Sequence, residues 1–271
     1  MILRDVFTWA VREIGREAIW VFSKFGISLE DIFREGDKMV GNSEWKRVEE
    51  VVRRRKEGYP LAYLLGEVEF HGENYLLGEG VFVPRKDSEI LVDFALRISS
   101  SRGQILDLGC GVGNLILSFL KHAPEWKGWG IDILSPSIFW ARINASRLGL
   151  RERVDFERRD LFLFLTETRS KFHLIISNPP YIPEEEKNTL PPELFYEPEI
   201  TWNGGEKGMD YYPFLLEKGK DLLFPGGCII LEIGKKKMGE ELMKKMEGMG
   251  FTEIGIEKDL QGRDRMIWGR K

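Results

Sequence analysis

The chain has 271 residues and a formal net charge of −4, long enough for one large core or two domains. Its 42% hydrophobic and 31% charged residues describe an ordinary globular protein, and no overall positive field exists to hold a nucleic-acid backbone by charge alone. Cys110 and Cys228 form no Cys-x-x-Cys pair, so neither a disulfide framework nor a metal site is expected; no apolar run is long enough to cross a bilayer, and early charges in Met1-Ile2-Leu3-Arg4-Asp5 rule out a signal peptide.

Leu3, Val6, Phe7, Ala10, Val11, Ile14, Ala18, Ile19 and Phe22 recur at helical spacing and predict one helix, stopped at Gly26. Ser28 can cap a second helix through Phe33. Ser43 can cap a third, with Trp45, Val48, Val51 and Val52 on one face, ending at Gly58. Residues 1–60 thus read as a small helical domain. Its basic run, Arg53-Arg54-Arg55-Lys56, reads as a solvated helix face. Residues 61–85 read as a linker of β character. Glu67 to Phe70 and Tyr75 to Leu77 flank His71-Gly72-Glu73-Asn74, a hairpin signal, and Val81-Phe82-Val83 is a strand stopped by Pro84. His71, alone at that turn, is read as structural.

From residue 86 to 271 helix and strand patterns alternate, which predicts an α/β domain with a doubly wound, Rossmann-like parallel sheet. Asp87 or Ser88 can cap a helix through Ile98. Strand Gln104 to Leu108 runs into Gly109-Cys110-Gly111-Val112-Gly113-Asn114, and a helix follows. Glycines at 109, 111 and 113 let the backbone turn tightly and approach a ligand closely. Asn at 114 stands where the dinucleotide fingerprint needs its third glycine, which argues against NAD. The next strand, Gly128 to Ile131, ends at Asp132, an acid placed to bind two ribose hydroxyls. Ser135 can cap the following helix, which would leave Asp132 free. After strand Val154 to Glu157, Asp160 can face an exocyclic amine and Leu161 can lie against a purine ring.

The fourth strand, Phe172 to Ser177, ends in Asn178-Pro179-Pro180-Tyr181. Two prolines fix φ, carry no N–H and push Asn178 out of the α region, so the turn is stiff. The Asn178 side-chain oxygen and the Pro179 carbonyl can each accept an N–H from one planar amino group, and Tyr181 offers a flat face. The irregular stretch from 182 to about 208 reads as a lid or a recognition loop. Helix Tyr211 to Leu223, strand Cys228 to Ile233, a helix to Gly248, and strands Phe251 to Glu257 and Arg265 to Trp268 complete the sheet.

Asp-x-Gly-x-Gly-x-Gly, Asp107 to Gly113, resembles motif I of S-adenosylmethionine-dependent methyltransferases. Asn178-Pro179-Pro180-Tyr181 resembles the motif of methyltransferases that act on exocyclic or amide nitrogens. Nearly the whole chain resembles the HemK/PrmC family. The resemblance rests on Gly58 to Phe70, on Val83-Pro84-Arg85 through Glu89, on Ala141 to Leu150, on Ser177 to Ile182, and on Asp259-Leu260 with Gly262 and Arg263. Where the family has Arg-Pro-Glu-Thr-Glu, this chain reads Arg85-Lys86-Asp87-Ser88-Glu89.

The family implies a seven-stranded class I methyltransferase domain behind an N-terminal domain that helps recognise the substrate. It implies S-adenosyl-L-methionine contacts at Gly109, Cys110, Gly111, Val112, Gly113, Asp132, Leu161 and Asn178. Substrate contacts fall at Asn178, Pro179, Pro180 and Tyr181, of which Asn178, Pro179 and Tyr181 are the catalytic candidates. The implied reaction methylates the side-chain nitrogen of the glutamine in the Gly-Gly-Gln loop of peptide-chain release factors and leaves S-adenosyl-L-homocysteine. Expected alongside are a cytoplasmic location, a monomer, no membrane and no stable nucleic-acid partner. Methylation of a ribosomal-protein glutamine, or of adenine N6 or guanine N2, stays open at this point.

Overall fold

A computed structural model of the chain describes every residue except Lys235 and Leu260, and only the backbone of Lys236. Leu260 of the C-terminal motif therefore lies outside the described residues. The chain forms two compact units, Met1–Gly66 with Pro191–Tyr196, and Glu67–Leu190 with Glu197–Lys271.

The first unit is helical: α1 (Leu3–Ile14), α2 (Ala18–Lys24), α3 (Leu29–Arg34), α4 (Asn42–Lys56) and α5 (Leu61–Leu65). Val6, Ala10, Val21, Phe22, Val48 and Val52 are buried together in its core. The single helix expected over residues 3–22 is two, because Gly15 adopts φ 62°, ψ −144° and breaks the hydrogen-bond ladder. Ser28 caps α3 in a reciprocal box with Asp31. Ser43, in contrast, lies inside α4: the Glu44 carboxylate takes the Gly41 N–H at 3.2 Å and does the capping instead. The basic run is not wholly solvated either, since Arg55 is half-buried against Glu17 (2.6 Å) and Glu193 (3.0 Å). The unit continues to Gly66, whose left-handed backbone ends α5.

The second unit opens with the hairpin β1 (Glu67–Phe70) and β2 (Glu73–Leu76), paired Glu67 to Leu76. His71 and Gly72 both take positive φ at the turn, the signature of a tight two-residue hairpin. His71 is tied down by Glu89 on its N–H and Asp93 on its ring. Val81 to Val83 is not a strand. The Val83 N–H goes to the buried Glu197 carboxylate at 3.0 Å, so it is not available to a ladder.

Then come α6 (Glu89–Ile98), β3 (Arg102–Leu108), α7 (Asn114–His122), β4 (Glu125–Asp132), α8 (Ser135–Arg147), β5 (Val154–Arg158), α9 (Leu161–Glu167) and β6 (Phe172–Ser177). After three short 3-10 turns follow α10 (Tyr212–Leu222), β7 (Leu223–Glu232), α11 (Lys236–Gly248), β8 (Thr252–Lys258) and β9 (Asp264–Arg270). The sheet order is β5-β4-β3-β6-β7-β9-β8. The first five strands are parallel, and β9 runs antiparallel to both neighbours. The last four residues of β3 and of β6 are buried on both faces, as expected at the centre of a parallel sheet. From β3 the chain winds outward one way through β4 and β5, then returns to β6 and winds the other way. The carboxyl ends of β3 and β6 therefore flank the switch point where such sheets bind ligands.

Candidate active site

Leu108 at the end of β3 and Ser177 at the end of β6 are joined directly, the Ser177 hydroxyl donating to the Leu108 carbonyl at 2.6 Å. The glycine turn and the proline elbow thus start from neighbouring points. Gly109, Cys110, Gly111, Asp132, Asp160, Leu161, Asn178 and Pro180 all line one pocket. Val112, Gly113, Pro179 and Tyr181 are not on its wall. Val112 is fully buried, and its carbonyl accepts the Asn144 amide at 3.0 Å. Gly113 takes φ 83° and packs against Leu117, Phe156 and Ala141, where a Cβ would be crowded. These two anchor the turn from below.

At Gly109 (φ 72°) and Gly111 (φ 53°) nothing stands within 4 Å of where a Cβ would be. The turn is held by the β4 end: the Gly109 and Cys110 N–H groups both donate to the Ile131 carbonyl at 2.9 Å. Asp132 completes this. Its Oδ2 accepts the Gly111 N–H at 2.9 Å and its Oδ1 accepts the Leu134 N–H at 2.8 Å. Asp132 is therefore not free, as a Ser135 cap would have left it, because Ser135 is already the first helical residue of α8. The Ser137 hydroxyl and the Ile133 N–H also adjoin this carboxylate, which lines the pocket where a ligand hydroxyl would reach it. Burial raises the pKa of Asp132, and the N–H groups of Leu134 and Gly111 pull it back.

Asp160 caps α9, its Oδ1 accepting from Phe162 N–H (2.8 Å) and Leu163 N–H (3.1 Å), which leaves Oδ2 for a ligand amine. Ile133, Leu134, Leu161 and Phe162 give this end of the pocket an apolar lining. A bare backbone turn, a carboxylate at the second strand end and an apolar slot beyond it fit the parts of S-adenosyl-L-methionine: amino acid, ribose and adenine. Below the turn, Asp107 is fully buried and neither of its carboxyl oxygens makes a hydrogen bond of normal geometry. Burial pushes its pKa up to about 8, with partial relief from the nearby Ile116 N–H.

On the elbow side, Asn178 Nδ2 donates to the Ser88 hydroxyl at 3.3 Å. The Tyr181 hydroxyl donates to Glu232 Oε1 at 3.1 Å, and its ring edge lies on Gly234, where a Cβ would come within 2.6 Å. Arg85 pairs with the buried Glu197. Asp87 bonds to Arg263 (3.0 Å) and Arg265 (2.9 Å). The segment 86–88, where the chain departs from the family spelling, thus touches the site through Ser88 and braces it through Asp87. Ser88, Arg85 and Tyr211 line the pocket and were not singled out from sequence as site residues. Only the resemblance of residues 83–89 pointed near two of them, because their partners lie far along the chain.

Residues 99–249 match the family described as "Methyltransferase domain" and residues 15–66 match "PrmC N-terminal domain". The chain is 32% identical to the release factor glutamine methyltransferase of Geobacter sulfurreducens over 99% of this chain and 96% of that protein. It is 34% identical to the protein of that name from Clostridium acetobutylicum, over 82% and 79% of the two chains. A solved methyltransferase structure from Pyrococcus furiosus superposes with a TM-score of 0.52, at 17% identity, covering 71% of this chain and 88% of that one. That likeness concerns the fold. With motif, sheet and pocket in agreement, the chain belongs to the PrmC family of S-adenosylmethionine-dependent release factor glutamine methyltransferases.

Proposed function

We propose that the protein methylates the side-chain amide nitrogen of the glutamine in the Gly-Gly-Gln motif of peptide-chain release factors, with S-adenosyl-L-methionine as methyl donor. The observation that carries this reading is that the glycine turn and Asn178 open into one pocket across the β3–β6 switch point. Gly109, Gly111, Asp132, Asp160 and Leu161 are assigned to the cofactor, which when bound supplies an electrophilic methyl on a positively charged sulfonium. Asn178 Oδ1 and the Pro179 carbonyl are assigned to the two N–H bonds of the substrate amide. An amide nitrogen is a poor nucleophile because its lone pair is delocalised. Two acceptors on its protons raise its electron density and stabilise the positive charge that develops there as the N–C bond forms. Tyr181, half-buried and pinned through ring and hydroxyl, is the flat surface assigned to the amide plane. The stiff elbow fixes the in-line approach, and one amide proton leaves to water after transfer.

The helical unit is assigned to recognition of the release factor, a role supported by its match to the PrmC N-terminal domain and by exposed Trp20, Phe33 and Met39. In this reading the protein works as a monomer in the cytoplasm and keeps no nucleic acid bound; its net charge of −4 supports the last point. Incubation with methyl-labelled cofactor and a release factor, followed by mass spectrometry of the Gly-Gly-Gln peptide, tests the assignment. One added methyl on glutamine is expected. Label in a ribosomal protein or in nucleic acid, with none in the release factor, rejects it.

A further inference from the structure

Glu232, the last residue of β7, is 1% exposed. A carboxylate so buried needs hydrogen bonds from its surroundings. Tyr181 supplies one to Oε1, while Oε2 lacks a partner of good geometry. The Ser88 hydroxyl adjoins this carboxyl and lowers its pKa. Ser88 is itself 2% exposed, and its oxygen receives the Asn178 Nδ2–H at 3.3 Å. Arg265 faces the same carboxyl and holds Asp87, the residue before Ser88.

A hydroxyl has one proton to give. When Ser88 gives it to a carboxylate, the serine oxygen can only accept, and what it accepts is an N–H of Asn178. That fixes which end of the Asn178 amide faces Ser88, since an asparagine's orientation is set by its hydrogen-bond network. Turned over, Asn178 would present its NH₂ to the substrate's NH₂, donor against donor, and the clamp would be lost. We propose that Glu232 is a positioning residue that acts through Ser88, holding the Asn178 amide with Oδ1 toward the substrate. This rests on the assignment of Asn178 as an acceptor for the glutamine amide.

The arrangement depends on Glu232 being a carboxylate. Burial pushes its pKa up to about 7; Ser88, Arg265 and Tyr181 pull it down, and Asp87 adds a smaller push upward. Tyr212, on α10, also faces it: its hydroxyl donates to the Glu232 backbone carbonyl at 2.6 Å. Protonation would give the carboxyl a donor of its own to direct at Ser88, freeing the serine proton for Asn178 Oδ1.

The test is steady-state methylation of a release factor by the full-length protein carrying Glu232→Gln, Ser88→Ala or Ser88→Thr, with cofactor Kd measured by calorimetry. Glu232→Gln has one side-chain oxygen for two hydroxyl donors, and its NH₂ can donate to Ser88. Both Glu232→Gln and Ser88→Ala are expected to lower kcat about ten- to a hundredfold, the size of a lost hydrogen bond to a charged group, with cofactor Kd unchanged. Ser88→Thr keeps the hydroxyl and should restore most of the rate. Wild-type kcat should rise with pH through about 7, and Glu232→Gln should lose that limb. Wild-type kcat in Glu232→Gln or in Ser88→Ala overturns the proposal, as does an equal loss in Ser88→Ala and Ser88→Thr. If Glu232→Gln does not fold, the two serine variants decide. A wild-type protein that leaves the release factor unmethylated sinks the underlying assignment instead; an active wild-type with unaffected variants sinks only the role of Glu232.

Discussion

The two halves of the pocket are built by opposite means. On the cofactor side, polar side chains are held by backbone N–H groups close in sequence. Asp132 binds Leu134 two residues on and Gly111 only 21 residues away, and Asp160 binds Phe162 and Leu163 just beyond it. On the elbow side, side chains hold side chains across the fold: Asn178 to Ser88 over 90 positions, Tyr181 to Glu232 over 51, Arg265 to Asp87 over 178. A backbone cradle comes with the strand–turn–helix unit and suits a ligand that never changes. A side-chain network can only be completed by the finished sheet, and it fixes the orientation of one amide.

The largest effect should come from breaking the elbow side alone. Asn178→Ala removes one acceptor from the developing charge and is expected to lower kcat by about 10²–10³, the range for deleting one such preorganised group. Cofactor affinity should stay near wild-type. A comparable fall in cofactor affinity, measured by calorimetry, would show that the two halves are not separate.

Of similar size, but in stability, is the effect expected at Asp107. Asp107 lies beneath the glycine turn with neither carboxyl oxygen in a hydrogen bond of normal geometry, and burial pushes its pKa up to about 8, with Asp132 adding to the push and the Ile116 N–H opposing it. Between pH 4 and pH 8 the folded carboxyl keeps a proton that the unfolded one has released. Each pH unit in that window therefore costs about 1.4 kcal/mol of stability, roughly 5 kcal/mol by its upper end. Asp107→Asn should remove this slope, so that urea melts of the variant and the wild type, similar at pH 4, diverge in the variant's favour toward pH 8. Parallel curves would mean that Asp107 is ionised and solvated by some other route.

The same contrast explains what the sequence could disclose. The glycine turn, Asp132 and the Asn-Pro-Pro-Tyr elbow are local motifs. The apolar run from Phe172 to Ser177 marked β6 at its observed bounds. Ser88, Glu232 and Arg265 come together only because β7 lies between β6 and β9 in the sheet, so no spacing along the chain announces them. Local competition accounts for other differences. Ser43 and Ser135 are both plausible caps, but Glu44 and Asp132 reach the relevant N–H groups first. Val81 to Val83 has strand-like residues, but the Val83 N–H goes to the Glu197 carboxylate instead of a ladder. α9 is a crossover of seven residues, too short to give a helical period, yet parallel β5 and β6 require a connection of that kind.

Breaking the cofactor side should give the converse of Asn178→Ala at smaller size. Asp132→Asn keeps one acceptor oxygen, but it loses the charge and puts an NH₂ opposite the N–H of Gly111 or Leu134. Cofactor Kd should rise about tenfold, from one weakened charged hydrogen bond, while kcat at saturating cofactor falls little. A kcat loss as large as that of Asn178→Ala would assign Asp132 to the chemistry and erase the division.

The smallest effect is expected at Asp160, which stands at the margin of the comparison. Its Oδ1 is taken up by two N–H groups at the start of α9, so its measurable work in the free protein is capping. Asp160→Ala should cost about 1 kcal/mol of stability, the usual value for a lost N-cap. Asp160→Asn, which still caps well, should cost almost nothing. For the cofactor the two variants separate the possibilities further. If Oδ2 receives the adenine amino group, the Asn variant can keep that bond only by turning its oxygen away from the α9 N–H groups. It would then lose either stability or affinity in the presence of ligand. Thermal shifts measured with and without S-adenosyl-L-homocysteine read this directly. A smaller ligand-induced shift in Asp160→Asn places adenine recognition at Asp160, whereas an unchanged shift leaves that recognition to the apolar wall of Leu134 and Leu161.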